Sequence, residues 1–245
     1  MTQRTIRRRC AAFLAIGAMA ALAMPSTAQA APQLADLDAK QSMSVKASNG
    51  ERLEGKNLHA IQLATYTAAS VDDNTIVGYD LTTNTALASD ITAAAKTAGA
   101  TDANLTVNGK NDPMVWVVKN LTDSRSDPWS GKLRNFCNSL AKQTNFAKQE
   151  GTAVATLSQD KTTMSTGNVL VPGIYAIVDR TPATTTPSGG TAVKTTASIM
   201  MMNGTAVNGI SQLRTASGTT LTLGQVIYKV SSVETPDKKV NVGST

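Results

Sequence analysis

The sequence predicts a mainly β protein, an antiparallel β-sandwich with a helical insertion between its early and late strands. Runs of β-branched and aromatic residues, which are typical of strands, lie toward both ends of the chain. Apolar residues at helical spacing occur only between about residues 83 and 143. Strands and helices therefore do not alternate along the chain, which argues against a parallel sheet with crossover helices.

Residues 171–179 (VPGIYAIVD) carry the strongest strand pattern, because a Pro-Gly turn leads directly into an apolar, β-branched run. Residues 57–66 carry apolar side chains on both faces, which predicts a strand buried on both sides. The other predicted strands are residues 42–47, 75–79, 152–157, 169–170, 196–202 and 221–230. Residues 180–194 (RTPATTTPSGGTAVK) are predicted to be a loop from their composition.

The first helix of the insertion is predicted between a cap at Thr83 or Asn84 and a stop at Gly99. Its apolar face comprises Leu87, Ile91, Ala94, Ala95 and Ala98. Residues 113–118 follow an Asp-Pro start but are also β-branched, so a short helix and a strand both fit them.

A further helix is predicted to begin at residues 127–128 (Asp-Pro), a capping residue with proline at the first helical position. One apolar stripe follows, formed by Leu133, Phe136, Cys137, Leu140 and Ala141. The stripe places Cys137 on the buried face of this helix.

The first thirty residues have the pattern of a secretory signal peptide. Several arginines precede an apolar stretch at residues 11–24, and Ala28-Gln29-Ala30 is a small-residue cleavage site. Cleavage is predicted between Ala30 and Ala31, and ordinary export is favoured over the twin-arginine route.

Signal removal takes away four of the 23 basic residues and none of the 17 acidic ones. The net charge therefore falls from +6 to about +2, too little to indicate a nucleic-acid partner. No second apolar segment follows the signal, so no membrane span is predicted after its removal.

Cysteine and histidine are too scarce for most catalytic or metal sites. Cys10 leaves with the signal, so Cys137 has no partner for an intrachain disulfide. His59 is the single histidine, and it lies on a predicted strand. We therefore predict no catalytic residues, no metal site and no cofactor, and a protein that is not an enzyme.

Four segments in order resemble one family: residues 63–66 (LATY), 136–141 (FCNSLA), 171–179 and 235–240 (TPDKKV). Together with the signal peptide they resemble the N-terminal domain of sortase-assembled shaft pilins of Gram-positive bacteria, the isopeptide-forming fimbrial proteins. The resemblance implies an immunoglobulin-like sandwich and covers nearly all of the chain after the signal.

The resemblance also implies a division of the chain. Residues 1–30 would be the signal peptide, 31–41 a flexible leader, 42–230 the pilin domain, 231–235 a linker and 236–245 the truncated start of a second immunoglobulin-like domain. The sorting signal of the family does not occur within these 245 residues.

The function implied is that of a structural pilus subunit, exported to the cell wall or cell surface and polymerised covalently by sortase. Its partners would be other pilin subunits and a pilus-specific sortase. The alternative is a secreted or surface-attached binding module of the same fold, which holds a host glycan or protein and is not polymerised.

Three lysines are implicated by the resemblance. The family's acceptor lysine ends a VYPK motif, and the equivalent residues here are 226–229 (VIYK), without the proline. Lys229 is therefore the candidate sortase acceptor, with an ordinary exposed strand lysine as the equal alternative. Lys238 and Lys239 are candidate isopeptide lysines of the next domain.

Overall fold

Strands dominate the structure, as the sequence predicts. The computed structural model describes residues 32–48, 52–121, 131–181, 184–188, 191–195, 201–215, 218–228 and 232–234, with 184–188, 191–195 and 232–234 as backbone only. Ala30 and Ala31, at the predicted cleavage point, lie outside the described residues.

The described strands are β1 (Gln33–Leu34), β2 (Ser44–Ala47), β3 (Leu58–Asp72), β4 (Thr75–Thr83), β5 (Thr106–Val107), β6 (Lys110–Asn111), β7 (Thr152–Ala153), β8 (Thr156–Leu157), β9 (Thr163–Ser165), β10 (Gly173–Asp179), β11 (Thr184–Ser188), β12 (Thr191–Thr195), β13 (Met201–Gly204), β14 (Gln212–Arg214), β15 (Thr220–Thr222), β16 (Gln225–Tyr228) and β17 (Ser232–Glu234). The described α-helices are α1 (Ala88–Thr97), α2 (Pro113–Leu121), α3 (Gly131–Leu140) and α4 (Thr144–Ala147). All four lie between β4 and β7, where the insertion is predicted.

Two larger sheets form the sandwich-like body. The main sheet runs β13–β10–β3–β4–β14–β15, with β1 and β7 added to β3, and the second sheet runs β16–β2–β9–β8. Smaller sheets are formed by β11–β12–β17 and by β5–β6.

The mainly β, sandwich-like class is confirmed, but the pairing is not wholly antiparallel. The pairs β4–β14 and β2–β16 are parallel. Parallel neighbours need a long connection, and more than a hundred residues separate the members of each of these pairs.

β10 lies between two hydrophobic cores, one on each face. Ile174 and Ala176 pack with the helices in what we call the helix-side core. Tyr175 and Ile177 pack with β2, β9 and β16 in what we call the sheet-side core. All four side chains are at most 5% exposed, so neither face of the strand meets solvent. The layers are therefore helices, main sheet and second sheet.

A bulge in β3 changes which residues face the helices. Ile174 pairs with Ala64 but Tyr175 pairs with Gln62, so Leu63 is the extra residue in β3. The alternation of side chains between the two faces of the sheet is therefore interrupted at the bulge. As a result, the neighbouring residues Leu63 and Ala64 both belong to the helix-side core. The bulge turns Tyr66, two residues further on, into the same core.

The predicted stop of the first helix is confirmed, whereas the predicted cap Asn84 caps a 3-10 turn and the N-cap of α1 itself is Leu87. The side-chain oxygen of Asn84 accepts a hydrogen bond from the backbone N–H of Ala86 at 3.1 Å, which caps the short 3-10 turn before α1. Gly99 follows α1 with φ +104°, a conformation that favours glycine.

Residues 113–118, which fit a helix or a strand, form α2. A contact from β4 supports its first turn. The backbone N–H of Thr83 donates to Asp112 Oδ1 at 2.9 Å, and the Thr83 hydroxyl accepts from the N–H of Met114 at 3.0 Å. This exchange satisfies one of the unpaired N–H groups at the start of the helix.

The buried stripe of α3 is largely as predicted. Phe136, Cys137 and Leu140 are buried and Leu133 is half-buried. Ala141 is exposed, because the helix ends at Leu140 and the stripe ends with it. The predicted start at residues 127–128 lies outside the described residues.

The loop prediction for residues 180–194 is wrong over most of its length, because β11 and β12 form a hairpin there. Threonine is β-branched and suits a strand, and this preference outweighs the Pro and Gly content on which the loop prediction rests. β12 also pairs with β17, so residues 232–234 of the predicted linker form a strand of this domain.

Two other predicted strands are each divided in two. Residues 152–157 split into β7 on the main sheet and β8 on the second sheet. Residues 221–230 break at Gly224, whose φ is +78°, into β15 and β16. Of predicted strand 196–202, residues 196–200 lie outside the described residues.

Gly173 sets the distance between β10 and β3, and its replacement tests the packing of the central pair. A Cβ at this position would lie 2.1 Å from the carbonyl oxygen of Ala64. We expect Gly173→Ala to lower the free energy of unfolding by about 3 kcal/mol, because backbone must move to relieve the overlap. Urea denaturation of the mature protein measures the loss.

Gly78→Ala is the matched control, since Gly78 lies on β4 and its added Cβ would meet no atom within 4 Å. The control should unfold at the same urea concentration as the wild type, or a slightly higher one. Equal midpoints for the two variants would contradict the close approach of β10 to β3.

Candidate functional site

The last described strand of the sheet-side core ends in an anchored tyrosine. Tyr228 closes β16, is 1% exposed, and its hydroxyl donates to Asp179 Oδ2 at 2.5 Å. Asp179 is the final residue of β10, so the bond joins the ends of two strands from different sheets. The C-terminal end of β16 is thereby fixed to β10, the strand that lies between the two cores.

Asp179 is held by further hydrogen bonds. Its Oδ1 accepts from the backbone N–H of Thr181 at 2.8 Å, and the Thr181 hydroxyl accepts from the N–H of Asn57 at 2.8 Å. Burial raises the pKa of the Asp179 carboxyl, but the hydrogen bonds from Thr181 and Tyr228 outweigh it. The net pKa is therefore below the ordinary value of 3.8.

Lys56 completes the cluster. Its Nζ lies 5.5 Å from the centroid of the Tyr228 ring, within the range of a cation–π contact. The Lys56 charge also contributes to lowering the pKa of Asp179. We call Lys56, Asp179, Thr181 and Tyr228 the strand-end cluster.

The candidate acceptor Lys229 directly follows this cluster but lies outside the described residues, as do Lys238 and Lys239. Along β16, Gln225 and Ile227 are exposed whereas Val226 and Tyr228 are buried. Tyr228 therefore points inward, in keeping with strand alternation. The outward direction of Lys229 stays a prediction of the same alternation.

His59 lies on β3, as predicted, and its Nε2 is 2.8 Å from Asn57 Oδ1. Its Nδ1 is buried with no hydrogen-bond partner in the described part of the chain. Cys137 is 2% exposed, and burial raises the pKa of its thiol to about 11. Across the described segments, no group of three or more His, Cys, Asp or Glu side chains is arranged to hold a metal ion.

A second feature is a cleft of about 560 Å³ beside the helix-side core. Tyr66 and Tyr79 line it with ring centroids 5.2 Å apart, and Lys119 and Arg214 belong to its lining. The cleft was not predicted, because strands that are far apart in the sequence form its walls and no local sequence pattern indicates it.

The buried carboxylate of Asp90 was also missed. Its Oδ2 accepts from the backbone N–H of Phe146 at 2.7 Å and its Oδ1 from Asn145 Nδ2 at 3.0 Å, which ties α1 to α4. One sequence pattern indicates such a group, namely an acidic residue within the apolar face of a predicted helix. The role of Asp90 is structural.

Comparison with protein-family models, with curated proteins and with solved structures finds no match to this chain. None of the described helices is both long and apolar enough to cross a bilayer.

The bond between Tyr228 and Asp179 should make stability depend on pH. A carboxyl whose folded pKa is depressed contributes stability that is complete above its unfolded pKa and is lost as the pH falls through the folded value. We expect Tyr228→Phe to cost about 1 kcal/mol at pH 6, and the cost to shrink as the pH falls below 3.8. Urea denaturation at pH 6, 4 and 3 measures both.

Tyr175→Phe is the control for this pH dependence, because the Tyr175 hydroxyl donates to a neutral group, the carbonyl of Val171, at 2.9 Å. Its cost should be the same at each pH. A cost of Tyr228→Phe that is equally constant would show that its partner is not the ionised carboxylate.

The Cys137 thiol should be a packing group. We expect Cys137→Ala to cost about 1–2 kcal/mol of stability, as a modest truncation in the helix-side core. In the native protein at pH 8, Ellman's reagent should label the thiol only at the rate of unfolding, since the group is buried and protonated. Labelling within seconds would contradict the burial.

Proposed function

We propose that this protein is a structural subunit of a cell-surface pilus, exported through its signal peptide and joined covalently to other subunits by a pilus-specific sortase. The proposal rests on the order of the family-like segments along the chain and on the mainly β, sandwich-like fold. The cell wall or cell surface of a Gram-positive bacterium is the corresponding location.

The anchored end of β16 is the observation that carries the proposal. Tyr228 is buried and bonded to Asp179, so the residue after it starts from a fixed point at the end of a core strand. By alternation Lys229 would face away from the sheet-side core, where an enzyme and a second subunit have access to it.

Sortase chemistry requires such a lysine. The enzyme holds the preceding subunit as a thioester on its cysteine, and the lysine Nζ attacks the thioester carbonyl. The C–S bond breaks and an amide C–N bond forms; the neutral amine gives up one proton, and the leaving thiolate takes up a proton to regenerate the thiol. A lysine that is exposed and free of a tight ion pair can lose a proton to solvent and reach the carbonyl.

The position of β16 also suits a load-bearing joint. β16 pairs along all four of its residues with β2, from Gln225–Ser44 to Tyr228–Ala47. A pull on Lys229 along the strand would load these backbone hydrogen bonds together rather than one after another. A shaft subunit under tension needs an attachment of this kind.

The alternative remains a secreted or surface-attached binding module for a host glycan or protein, which would not be polymerised. It uses the same export signal and the same fold, so the two functions are distinguished by whether covalently joined subunits form.

The test is to express the protein with its sortase and to separate the products on a denaturing gel. Wild-type protein should give a ladder of high-mass species. Lys229→Ala and Lys229→Arg should both abolish the ladder, because a guanidinium keeps the charge but is not a nucleophile.

Lys194→Ala, on β12, is the matched lysine control and should leave the ladder intact. A ladder that survives both Lys229 variants would place the acceptor elsewhere, with Lys238 and Lys239 next to be replaced. Monomer alone from the wild type would favour the binding module.

A further inference from the structure

The cleft beside the helix-side core lies where the two edges of the main sheet approach each other. β13 and β15 are the two edge strands of the sheet path, and both line the cleft. The Asn203 side-chain amide of β13 donates to the carbonyl oxygen of Thr222 in β15 at 3.1 Å. The sheet therefore curls around a space of about 560 Å³, which is within the range of small-molecule sites.

Most of the wall is apolar. Val115 and Val118 come from α2 and Leu133 from α3, and Ile174 and Leu213 come from the sheet. These side chains favour an apolar ligand body, because its burial removes hydrocarbon surface from water on both sides.

The floor of the cleft holds an unpaired polar group. The Tyr66 hydroxyl is buried and has no hydrogen-bond partner among the described residues. It lies over Gly204, where an added Cβ would be 2.2 Å from the hydroxyl oxygen and 3.4 Å from Leu223 Cδ2. All three residues line the cleft. A buried hydroxyl without a partner costs free energy that a ligand acceptor can recover.

Two cations belong to the same lining. Lys119 and Arg214 are exposed, and neither forms an ion pair with another described residue. None of the described lining residues is acidic. The charge of the cleft therefore favours an anion over a cation or a neutral molecule.

We propose that the cleft binds a small amphipathic anion: an apolar chain with a carboxylate at one end and an ester or ketone oxygen at the other. The carboxylate pairs with Lys119 and Arg214, and the oxygen accepts a hydrogen bond from Tyr66 after a rotamer change of Leu223 uncovers the hydroxyl. This site is independent of sortase chemistry, so its test and that of the pilus proposal fail separately.

The experiment measures dissociation constants by titration calorimetry on the mature protein with three probes. Monomethyl sebacate carries both the anion and the ester, dodecanoate has similar length but no ester, and dimethyl sebacate lacks the anion. We expect monomethyl sebacate to bind the wild type. In Tyr66→Phe the ratio of the affinity for monomethyl sebacate to the affinity for dodecanoate should fall about fivefold, which corresponds to the loss of one hydrogen bond.

Tyr175→Phe is the matched control, because it removes a tyrosine hydroxyl from the sheet-side core. It should lower the thermal midpoint and leave the ratio of the two affinities unchanged. Tyr66→Phe should leave the midpoint of the ligand-free protein unchanged or higher, since the hydroxyl it removes has no described partner.

The double variant Lys119→Gln with Arg214→Gln tests the anion. It should lower the affinity for monomethyl sebacate about fivefold and leave the affinity for dimethyl sebacate unchanged. Absence of monomethyl sebacate binding at millimolar concentration overturns the proposal. So does a ratio of monomethyl sebacate to dodecanoate affinity that Tyr66→Phe leaves unchanged.

Discussion

The close pairing of β10 with β3 is the contact on which the rest of the structure depends. Gly173 permits it, because any side chain there would overlap the backbone of Ala64. Once paired, β10 presents Ile174 and Ala176 to the helices and Tyr175 and Ile177 to the second sheet. One strand thus joins two hydrophobic cores, and the burial of apolar surface on both of its faces stabilises the fold.

Both candidate sites derive from that pair. At the C-terminal end of β10, Asp179 holds Tyr228 and so fixes the end of β16. On β3, the bulge at Leu63 directs Tyr66 toward the helices, where it forms the floor of the cleft. The strand-end cluster is polar and joins two sheets, whereas the cleft is apolar and lies between the edges of one sheet. The two proposals therefore assign them different partners, a macromolecular enzyme and a small ligand.

Local patterns predicted the elements whose residue types and spacing favour one structure. The strand at 171–179 and the helix that ends before Gly99 follow from residue type and spacing alone. Elements that depend on distant partners could not be predicted so well. Residues 113–118 became helical where Thr83 meets Asp112, a contact across 29 positions. The parallel pairing of β2 with β16 and the walls of the cleft likewise arise only when the whole chain is folded. The burial of Tyr228 follows from strand alternation, whereas its bond to Asp179 joins residues 49 positions apart and no local pattern indicates it.

The central claim is that subunits are joined through the lysine that follows Tyr228. Mass spectrometry of peptides from purified, denaturant-resistant polymer tests it most directly, since proteolysis leaves the junction as a branched peptide. We expect a branched peptide in which the Nζ of Lys229 carries the C-terminal residues of another copy. Recovery of Lys229 only as an unmodified residue, in polymer that resists denaturation, would contradict it.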